Sequence, residues 1–543
     1  MRQLSGNDAR FLYSDTAQAN ANISKIQIYD QSTAPGGQVR FKSILAHIAG
    51  RLDRSPIFRQ KLQRVPLELD YPYWIEDDSF DLEYHVRHLA LPKPGDWRQF
   101  CIQASRIHAR ALDLNRPLWE IYVVEGLDGF LDLPAGSFAL LTKVHHAAID
   151  PDGGGITTLL HDTTPEPAAP APPEPWFPQA PPGRMAMFMR AIGNNAVSPF
   201  RLARSLARLA RLAPGAITLA GDILLRPERM VPTRFNAVVS AHRVFETRRF
   251  MLDDFRVIRR LVDGATVNDA VLAICGGALR RYLDALRELP QASLTAIAPF
   301  FIRGEAGEAG RKPIMSWVRV QLGTDIADPV LRLAHVRAQT AASETVNQAI
   351  SASELTDVRR HTPAATLALA SKMIGRAAAG IGRRAPLAHC TISNVPGPSQ
   401  PLYMCGARMT YFSAIMPIAD GMGLVIAVTS YDARIIISPT SCRELMPDPA
   451  HFAQCIRDSF QEYLALTQTP AKPVVKGRTN AATAPQVMHK RPRNAAAGTS
   501  ARATTLPGSA SGTARRKRPL AGTAATARPP APGGRPRYKA RSH

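Results

Sequence analysis

The sequence predicts a mixed α/β protein of two lobes, joined by a Pro-rich strap and a helical linker. Three observations favour this class. The chain has 543 residues, more than one ordinary hydrophobic core accommodates. Residues 1–162 and 235–467 each mix helical and extended patterns. Within the connection, residues 163–234, the first twenty or so positions are too proline-rich for regular structure.

The most informative stretch of the first lobe reads FALLTKVHHAAIDPDGGG, residues 138–155. Its apolar run predicts a strand that ends at His145 and His146. The glycine cluster that follows predicts a turn, and we expect a helix to begin near Ile156. The pattern therefore places two adjacent imidazoles where a buried strand meets a loop.

The linker from residue 184 to residue 230 has a helical pattern with one basic face, formed by Arg201, Arg204, Arg208 and Arg211. One interpretation is a helix packed on the body with its arginines in water. The other is contact between those arginines and anionic lipid headgroups, which is typical of basic amphipathic helices. Different faces of one helix can serve both roles.

The second lobe contains two local signals. Thr266 and Asp269 form a T-x-x-D capping box, which predicts the start of a helix with Val271, Leu272, Leu279 and Leu283 on its apolar face. Residues 424–438 read LVIAVTSYDARIIIS and predict two strands around a turn near Asp432.

The charge is concentrated at the C-terminus. The net charge is +23, and residues 471–543 hold 16 Lys or Arg and no Asp or Glu, which leaves +7 on the rest. Few aromatic residues occur there, so residues 468–543 are predicted to be a disordered basic tail. A solvated extension is the favoured interpretation, and contact with anionic lipid or nucleic acid is the alternative. No sequence-specific nucleic-acid binding is predicted.

Cysteine usage and hydropathy indicate a cytoplasmic protein. The six cysteines are scattered without a CxxC pair, so neither a zinc site nor a disulfide framework is predicted, and we expect reduced, mostly buried thiols. The first residues lack the apolar stretch of a secretory signal. No window approaches 18 uncharged apolar residues, so any contact with lipid is expected to come from the surface.

The His145–His146 pair allows two interpretations. A neutral imidazole near a carboxylate accepts a proton from a hydroxyl at neutral pH, which is general-base chemistry. Alternatively, His145 caps the strand and His146 is a core histidine with its hydrogen bonds satisfied. No metal site is predicted, because HExxH is absent and no third ligand lies nearby in the sequence.

Several sequence blocks resemble a known family. HHxxxDG is the signature of the CoA-dependent acyltransferase superfamily, which includes chloramphenicol acetyltransferase. Further blocks, in the family's order over about residues 3–465, are similar to those of bacterial wax ester synthase/diacylglycerol acyltransferases. They are Phe80–His88, Arg116–Glu120, Val267–Ala270, Ser393–Pro398, Gly421–Leu424 and Ser430–Tyr431.

The resemblance implies two chloramphenicol-acetyltransferase-like lobes with the active site in a tunnel between them. Acyl-CoA enters from one side as a substrate, no other cofactor is implied, and diacylglycerol or a long-chain fatty alcohol enters from the other. His146 is then the general base for attack of the alcohol on the thioester, giving triacylglycerol or wax ester without a covalent enzyme intermediate.

The same resemblance implies peripheral contact with the inner membrane or with lipid inclusions. It gives no indication of the oligomeric state. Two alternatives stay open. One is the same chemistry with a smaller acceptor, and the other is a catalytically silent protein of lipid inclusions or membrane surfaces.

Further site residues are implied by the matching blocks. Asp150 is expected to hold the histidine loop by pairing with an arginine, for which Arg303 is the candidate. Asn268 is expected to face the tunnel, and Ser393 and Asn394 to line it. The block Arg116–Glu120 is interpreted as packing, and neither His85 nor His88 is assigned chemistry.

The sequence departs from HHxxxDG at one position, because Pro151 stands where the family has glycine. Proline fixes φ near −65° and pushes the preceding Asp150 towards extended geometry. In a second alignment, Asp152 and Gly153 supply the Asp-Gly pair after a two-residue insertion. His146 keeps its assignment in both alignments, whereas the aspartate does not.

Overall fold

Two large β-sheets organise the protein. The computed structural model describes residues 2–127, 133–134, 136–149, 155–166, 176–196, 230–302, 314–348, 386, 388–398 and 400–468. All of them fall within one unit, Met1–Lys472. The predicted tail beyond residue 468 and the arginine-bearing part of the predicted linker helix lie outside the described residues.

The strands of the described residues, in chain order, are β1 (Arg2–Gln3), β2 (Asn22–Asp30), β3 (Gln60–Gln63), β4 (Tyr73–Glu76), β5 (Val86–Ala90), β6 (Trp119–Glu125), β7 (Phe138–His145), β8 (Arg243–Phe245), β9 (Arg248–Met251), β10 (Thr295–Ile302), β11 (Ile314–Gln321), β12 (Cys390–Pro396), β13 (Tyr403–Met404), β14 (Ala407–Ile415), β15 (Val425–Tyr431) and β16 (Arg434–Cys442). The α-helices are α1 (Gly6–Ser14), α2 (Phe41–Ala49), α3 (Leu82–His85), α4 (Trp97–Ala109), α5 (Gly155–Leu160), α6 (184–196), α7 (Leu252–Ile258), α8 (Val267–Ala285), α9 (Pro329–Gln348) and α10 (Pro449–Gln468).

The first sheet has the strand order β13-β14-β2-β7-β6-β5. Strand β7 lies between β2 and β6, and all eight of its residues are buried. Its apolar sequence therefore forms a central strand, as the run before the histidines predicts. The antiparallel register pairs Asn22 with His145, so the end of β7 lies beside the start of β2. A small separate sheet has the order β1-β4-β3.

The first sheet is completed by residues from the second half of the sequence. Strand β14 runs antiparallel to β2, from the pair Arg408–Asp30 to the pair Ile415–Ser24, and β13 pairs with β14. The predicted division near residue 235 therefore does not separate the two sheets. The residues of β14 are mostly buried, but their apolar character does not determine which strand they pair with, since pairing is a long-range choice.

The second sheet has the order β11-β10-β12-β15-β16-β8, and β9 also pairs with β16. Strands β15 and β16 form a hairpin that closes at the pair Tyr431–Arg434. Its two turn residues, Asp432 and Ala433, have φ of 50° and 55°, as a tight two-residue hairpin turn requires. The predicted pair of strands around Asp432 is confirmed.

Helix α8 begins where the capping box predicts. Thr266 Oγ1 accepts a hydrogen bond from the backbone N–H of Asp269 at 3.1 Å, and the Asp269 carboxylate accepts the backbone N–H of Thr266 at 2.8 Å. The four residues of the predicted apolar face are buried. Helix α8 packs closely against the backbone at Leu322. Only glycine fits at position 276, because a Cβ there would stand 2.3 Å from the carbonyl oxygen of Leu322. The predicted mixed α/β class is confirmed.

Candidate active site

His145 and His146 lie where β7 ends and a short 3-10 turn, His146–Ala148, begins. Two backbone hydrogen bonds fix this junction. The N–H of His145 donates to the carbonyl of Leu118 at 3.0 Å, and the N–H of His146 donates to the carbonyl of Ala21 at 2.8 Å. The buried strand therefore holds the histidine pair at a defined position, at the C-terminal end of a central strand of the first sheet.

Both ring nitrogens of His145 are engaged. Its Nε2 lies 2.9 Å from Oδ2 of Asp15, and its Nδ1 accepts the backbone N–H of Ala147 at 3.1 Å. Because Nδ1 accepts, the neutral tautomer carries its proton on Nε2 and donates it to the carboxylate. The ring is 1% exposed. His145 is thus held by its neighbours and caps the 3-10 turn that begins at His146.

His146 is in a different situation. Its ring is half-buried and stacks on Phe11, with ring centroids 3.7 Å apart and an interplanar angle of 19°. Its Nδ1 is buried and has no hydrogen-bond partner within the described part of the chain. The ring is therefore positioned by stacking and by its backbone rather than by a polar partner on Nδ1.

The environment of His146 favours the neutral imidazole. The pKa of His146 is lowered to about 4, mainly by burial, with smaller contributions from Arg10 and His145, whereas a hydrogen bond to its own backbone opposes the shift. Desolvation penalises the imidazolium because an ion loses more than a neutral ring when water is removed. At neutral pH the ring is uncharged and able to accept a proton.

Helix α1 supplies the residues that hold the histidine pair, and these were not predicted from the sequence. Phe11 and Asp15 are four residues apart, so they point to the same side at the helix end. Oδ1 of Asp15 accepts the backbone N–H of Ala21 at 2.8 Å, and Ala21 in turn binds His146. Three hydrogen bonds therefore connect Asp15 to His145, Asp15 to Ala21, and Ala21 to His146, and the peptide link between the two histidines closes the ring. The only signal in the sequence is that these residues fall within the span of the family resemblance.

A cavity of about 210 Å³ adjoins the 3-10 turn. It is lined by the start of the chain, by residues near the beginning of β3 and by the residues that follow His146. Half of its lining residues are polar and include Ser5, Asp8, Ser55 and Gln60, and the other half are apolar and include Ile57, Trp74 and Ile149.

The block Arg116–Glu120 serves packing. The side chain of Lys143, two residues before His145, is fully buried and its Nζ lies 2.9 Å from Oε2 of Glu120. Tyr122 donates a hydrogen bond to the same carboxylate at 2.9 Å. Burial lowers the pKa of Lys143, and the charge of Glu120 opposes that shift. A buried charge needs such a partner, and this ion pair links β6 to β7.

The two histidines to which no chemistry was assigned have structural partners. His85 Nδ1 lies 2.7 Å from the carbonyl oxygen of Trp119, and its ring stacks on the Trp119 indole. His88 Nε2 lies 3.1 Å from Oε1 of Glu125, and its ring stacks on Phe41.

The other predicted site residues lie in the second half of the chain. Asn268 is exposed in the first turn of α8, next to the buried Asp269. Ser393 is buried and Asn394 is exposed on β12, where they pair with Ala427 and Val428 of β15. Among the described residues, none of the hydrogen bonds or ring contacts of the histidine pair involves these three.

Four predicted positions lie outside the described residues, namely Asp150, Pro151, Asp152 and Arg303. Within the described ranges, no group of three or more His, Cys, Asp or Glu residues is arranged to hold a metal ion.

The fold of two large sheets has a counterpart among solved acyltransferase structures. The structure is similar to that of the wax ester synthase/diacylglycerol acyltransferase from Marinobacter aquaeolei VT8, with a TM-score of 0.61 and 23% identity. The match covers 86% of this chain and all of that one. At this identity the likeness establishes the fold.

Sequence comparison identifies the family. A Mycobacterium tuberculosis (strain ATCC 25618 / H37Rv) protein named "Putative diacyglycerol O-acyltransferase" is 31% identical over 477 residues, covering 86% of this chain and 90% of that protein. A second protein of that name from the same strain is 31% identical over 485 residues, covering 87% and 99%.

The profile of the wax ester synthase/diacylglycerol acyltransferase catalytic domain matches residues 4–271, and that of the WS/DGAT C-terminal domain matches residues 314–463. The chain therefore belongs to the wax ester synthase/diacylglycerol acyltransferase family and is an acyltransferase of that type.

Proposed function

We propose that this protein transfers a fatty acyl group from acyl-CoA to the hydroxyl of diacylglycerol, giving triacylglycerol, and to long-chain fatty alcohols, giving wax esters. The observation that carries the proposal is the state of His146. It is a neutral, half-buried imidazole in a chain that belongs to this family. The names of the Mycobacterium tuberculosis relatives support diacylglycerol as an acceptor.

In the proposed reaction His146 is the general base within a ternary complex. The imidazole takes the proton of the acceptor hydroxyl as its oxygen attacks the thioester carbonyl. A tetrahedral oxyanion forms, the carbon–sulfur bond then breaks, and the CoA thiolate leaves with the proton returned by His146. The chain supplies no covalent nucleophile in this scheme, and acyl-CoA acts as a substrate rather than as a resident cofactor.

Other residues have supporting roles in this proposal. His145 is a positioning residue, because both its ring nitrogens are used by Asp15 and Ala147. Asn268 is proposed to face the substrate tunnel and to stabilise the oxyanion, a contact worth about 3–4 kcal/mol where such donors have been removed. Ser393 and Asn394 are proposed to line the tunnel. Asp150 is proposed to hold the loop after the histidines, with Arg303 as its partner.

The substrates of this reaction reside in membranes and lipid inclusions, so we propose that the protein works at such a surface from the cytoplasmic side. Within the described residues, no helix combines the length and the apolar character needed to cross a bilayer.

The test is an acceptor panel with purified full-length protein. Palmitoyl-CoA is offered with diacylglycerol, hexadecanol or short-chain alcohols, and CoA release is followed. We expect turnover with the long-chain acceptors and a loss of at least about 100-fold in His146→Ala, because general-base catalysis contributes roughly that much or more. His242→Ala is the matched control, since His242 is exposed and bonded to Glu444.

Three results would contradict the proposal. Equal rates in the parent protein and His146→Ala would show that His146 is not the general base. Turnover confined to short acceptors would identify an acyltransferase of different specificity. Vesicle binding without turnover of any acceptor would identify a silent lipid-surface protein.

A further inference from the structure

Helix α6 carries an apolar stripe that faces solvent. Met185 is 71% exposed, Met189 is 61% exposed and Ile192 is 47% exposed. The spacing of four and three residues places the three side chains on one side of the helix. Phe177, in the segment that precedes the helix, is 83% exposed. Single exposed apolar residues are ordinary, whereas a continuous stripe marks a contact surface.

The opposite side of α6 is already packed on the body. Met187 and Ala191 are buried in a cluster with Val65 and Tyr73. Asn194 Nδ2 donates to Oδ2 of Asp70 at 2.7 Å. The buried side of α6 therefore fixes the helix on the body, and the exposed stripe is not needed for that packing.

The charged side chains of α6 itself have one sign. Arg184 and Arg190 are both exposed on this helix, and residues 184–196 contain no Lys, Asp or Glu. Two carboxylates of the body bond to this segment, since Asp70 accepts from Asn194 and Glu76 accepts the backbone N–H of Gln179. An occupant of the exposed side of α6 is therefore expected to be apolar and to carry negative charge.

We propose that the α6 face, defined as Met185, Met189 and Ile192 flanked by Arg184 and Arg190, docks on an anionic lipid surface. The apolar side chains enter the region between headgroups and acyl chains, and the arginines contact anionic headgroups. A second copy of this chain is a poorer occupant, because two faces that carry only positive charge repel each other. The inference rests on the proposed function only in that the lipid substrates reside in such a surface.

The test compares vesicle binding of two triple variants in the full-length chain. One is Met185→Gln/Met189→Gln/Ile192→Gln. The matched control is Met251→Gln/Val257→Gln/Leu331→Gln, which changes exposed apolar residues elsewhere. Glutamine is a good helix former, so the substitutions keep the helix. Co-sedimentation is measured with phosphatidylcholine vesicles, with and without phosphatidylglycerol.

We expect the parent and the control to bind vesicles that contain phosphatidylglycerol, and the α6 variant to bind at least about tenfold more weakly, because three apolar side chains no longer enter the lipid. The basic C-terminal residues also attract anionic vesicles. The comparison is therefore repeated at about 1 M salt, where screening acts within roughly 3 Å and apolar insertion persists.

Equal binding of the α6 variant and the parent at high salt would overturn the inference, as would no binding by the parent or equal losses in both variants. A change of oligomeric state with unchanged vesicle binding would identify a second copy as the occupant and also overturn it. Acyl transfer is measured in parallel with detergent-dispersed substrates. If neither the parent nor the two variants transfer an acyl group, but only the α6 variant loses vesicle binding, the proposed function is contradicted and the proposed docking face is retained.

Discussion

Asp15 and His145 are separated by 130 positions in the sequence, yet Oδ2 of Asp15 lies 2.9 Å from Nε2 of His145. The other oxygen of the same carboxylate binds the backbone of Ala21, whose carbonyl holds the backbone of His146. One acidic side chain therefore fixes the tautomer of the first histidine and the position of the second. Such supporting groups hold a catalytic geometry without touching the substrate.

Replacing Asp15 by asparagine tests this arrangement. The amide oxygen can still accept the backbone N–H of Ala21, but the amide NH2 group then faces the Nε2–H of His145, and two donors cannot bond to each other. If His145 moved its proton to Nδ1, Nε2 could accept from the amide, but Nδ1 would no longer accept the backbone N–H of Ala147. A mismatch of this kind costs about 1–3 kcal/mol, so we expect kcat to fall roughly 10- to 100-fold with little change in the KM for acyl-CoA.

Two further variants complete that measurement. Asp15→Glu should recover part of the rate, and Asp53→Asn, which changes a partly exposed carboxylate bonded to Arg59, should behave as the parent. A parent-like kcat in Asp15→Asn would show that the hydrogen bond to His145 has no influence on the reaction.

Phe11→Ala should change the pH profile of the reaction. The phenyl ring covers one face of His146, and burial is the main cause of the low pKa of His146. Removing the ring admits water and raises that pKa towards the ordinary value of about 6.5. A base works only when it is unprotonated, so the acidic limb of kcat/KM should move to higher pH by about one unit. Profiles that superimpose would show that Phe11 does not control this titration.

The pH dependence of stability should come from buried neutral histidines. Nδ1 of His161 lies against the carbonyl of Thr157, so its Nε2 accepts from the Tyr29 hydroxyl at 2.5 Å. Burial lowers the pKa of His161 to about 4 and that of His108 to about 3. An unfolded histidine titrates near 6.5. Between these values the unfolded chain binds more protons, so the free energy of unfolding falls as pH drops below about 6.5.

At pH 5, one histidine with a folded pKa of about 4 lowers the free energy of unfolding by roughly 2 kcal/mol relative to neutral pH. Urea unfolding of the parent and of His161→Gln between pH 7 and pH 5 measures this. The variant is expected to have the shallower slope, and the slopes rather than the absolute stabilities are compared because the substitution also removes a hydrogen bond. Parallel slopes would contradict a neutral His161.

The buried ion pair between Lys143 and Glu120 should reveal itself in a double-mutant cycle. Lys143→Met removes the nearer of the two cations of the buried Glu120 carboxylate and leaves Arg87 at 3.6 Å, so the cost is expected to stay below the roughly 3–5 kcal/mol of a fully broken buried pair. The double variant Lys143→Met/Glu120→Gln should be more stable than Lys143→Met alone, because the carboxylate that lost its nearer cation is gone. Thermal unfolding of the four proteins gives the coupling, and additive losses would show that the two charges do not interact.

Local chemistry made part of the fold readable from the sequence alone. The cap of α8 depends on Thr266 and Asp269, which are three residues apart, and the β15–β16 hairpin depends on a two-residue turn at Asp432. In both, the groups that bond are neighbours in the chain, so periodicity and turn chemistry predict them. The strand that ends at His145 and His146 is predicted for the same reason, since its apolar run is continuous.

Tertiary structure alone decided which distant segments meet. The sequence identifies His146 as a candidate base, but not Phe11 stacked on it or Asp15 bonded to its neighbour. It identifies β14 as apolar, but not as the partner of β2 in a sheet otherwise built from the first half of the chain. These choices depend on strand pairing and packing between residues hundreds of positions apart, and many pairings satisfy the same local pattern. Only the assembled sheet selects one of them.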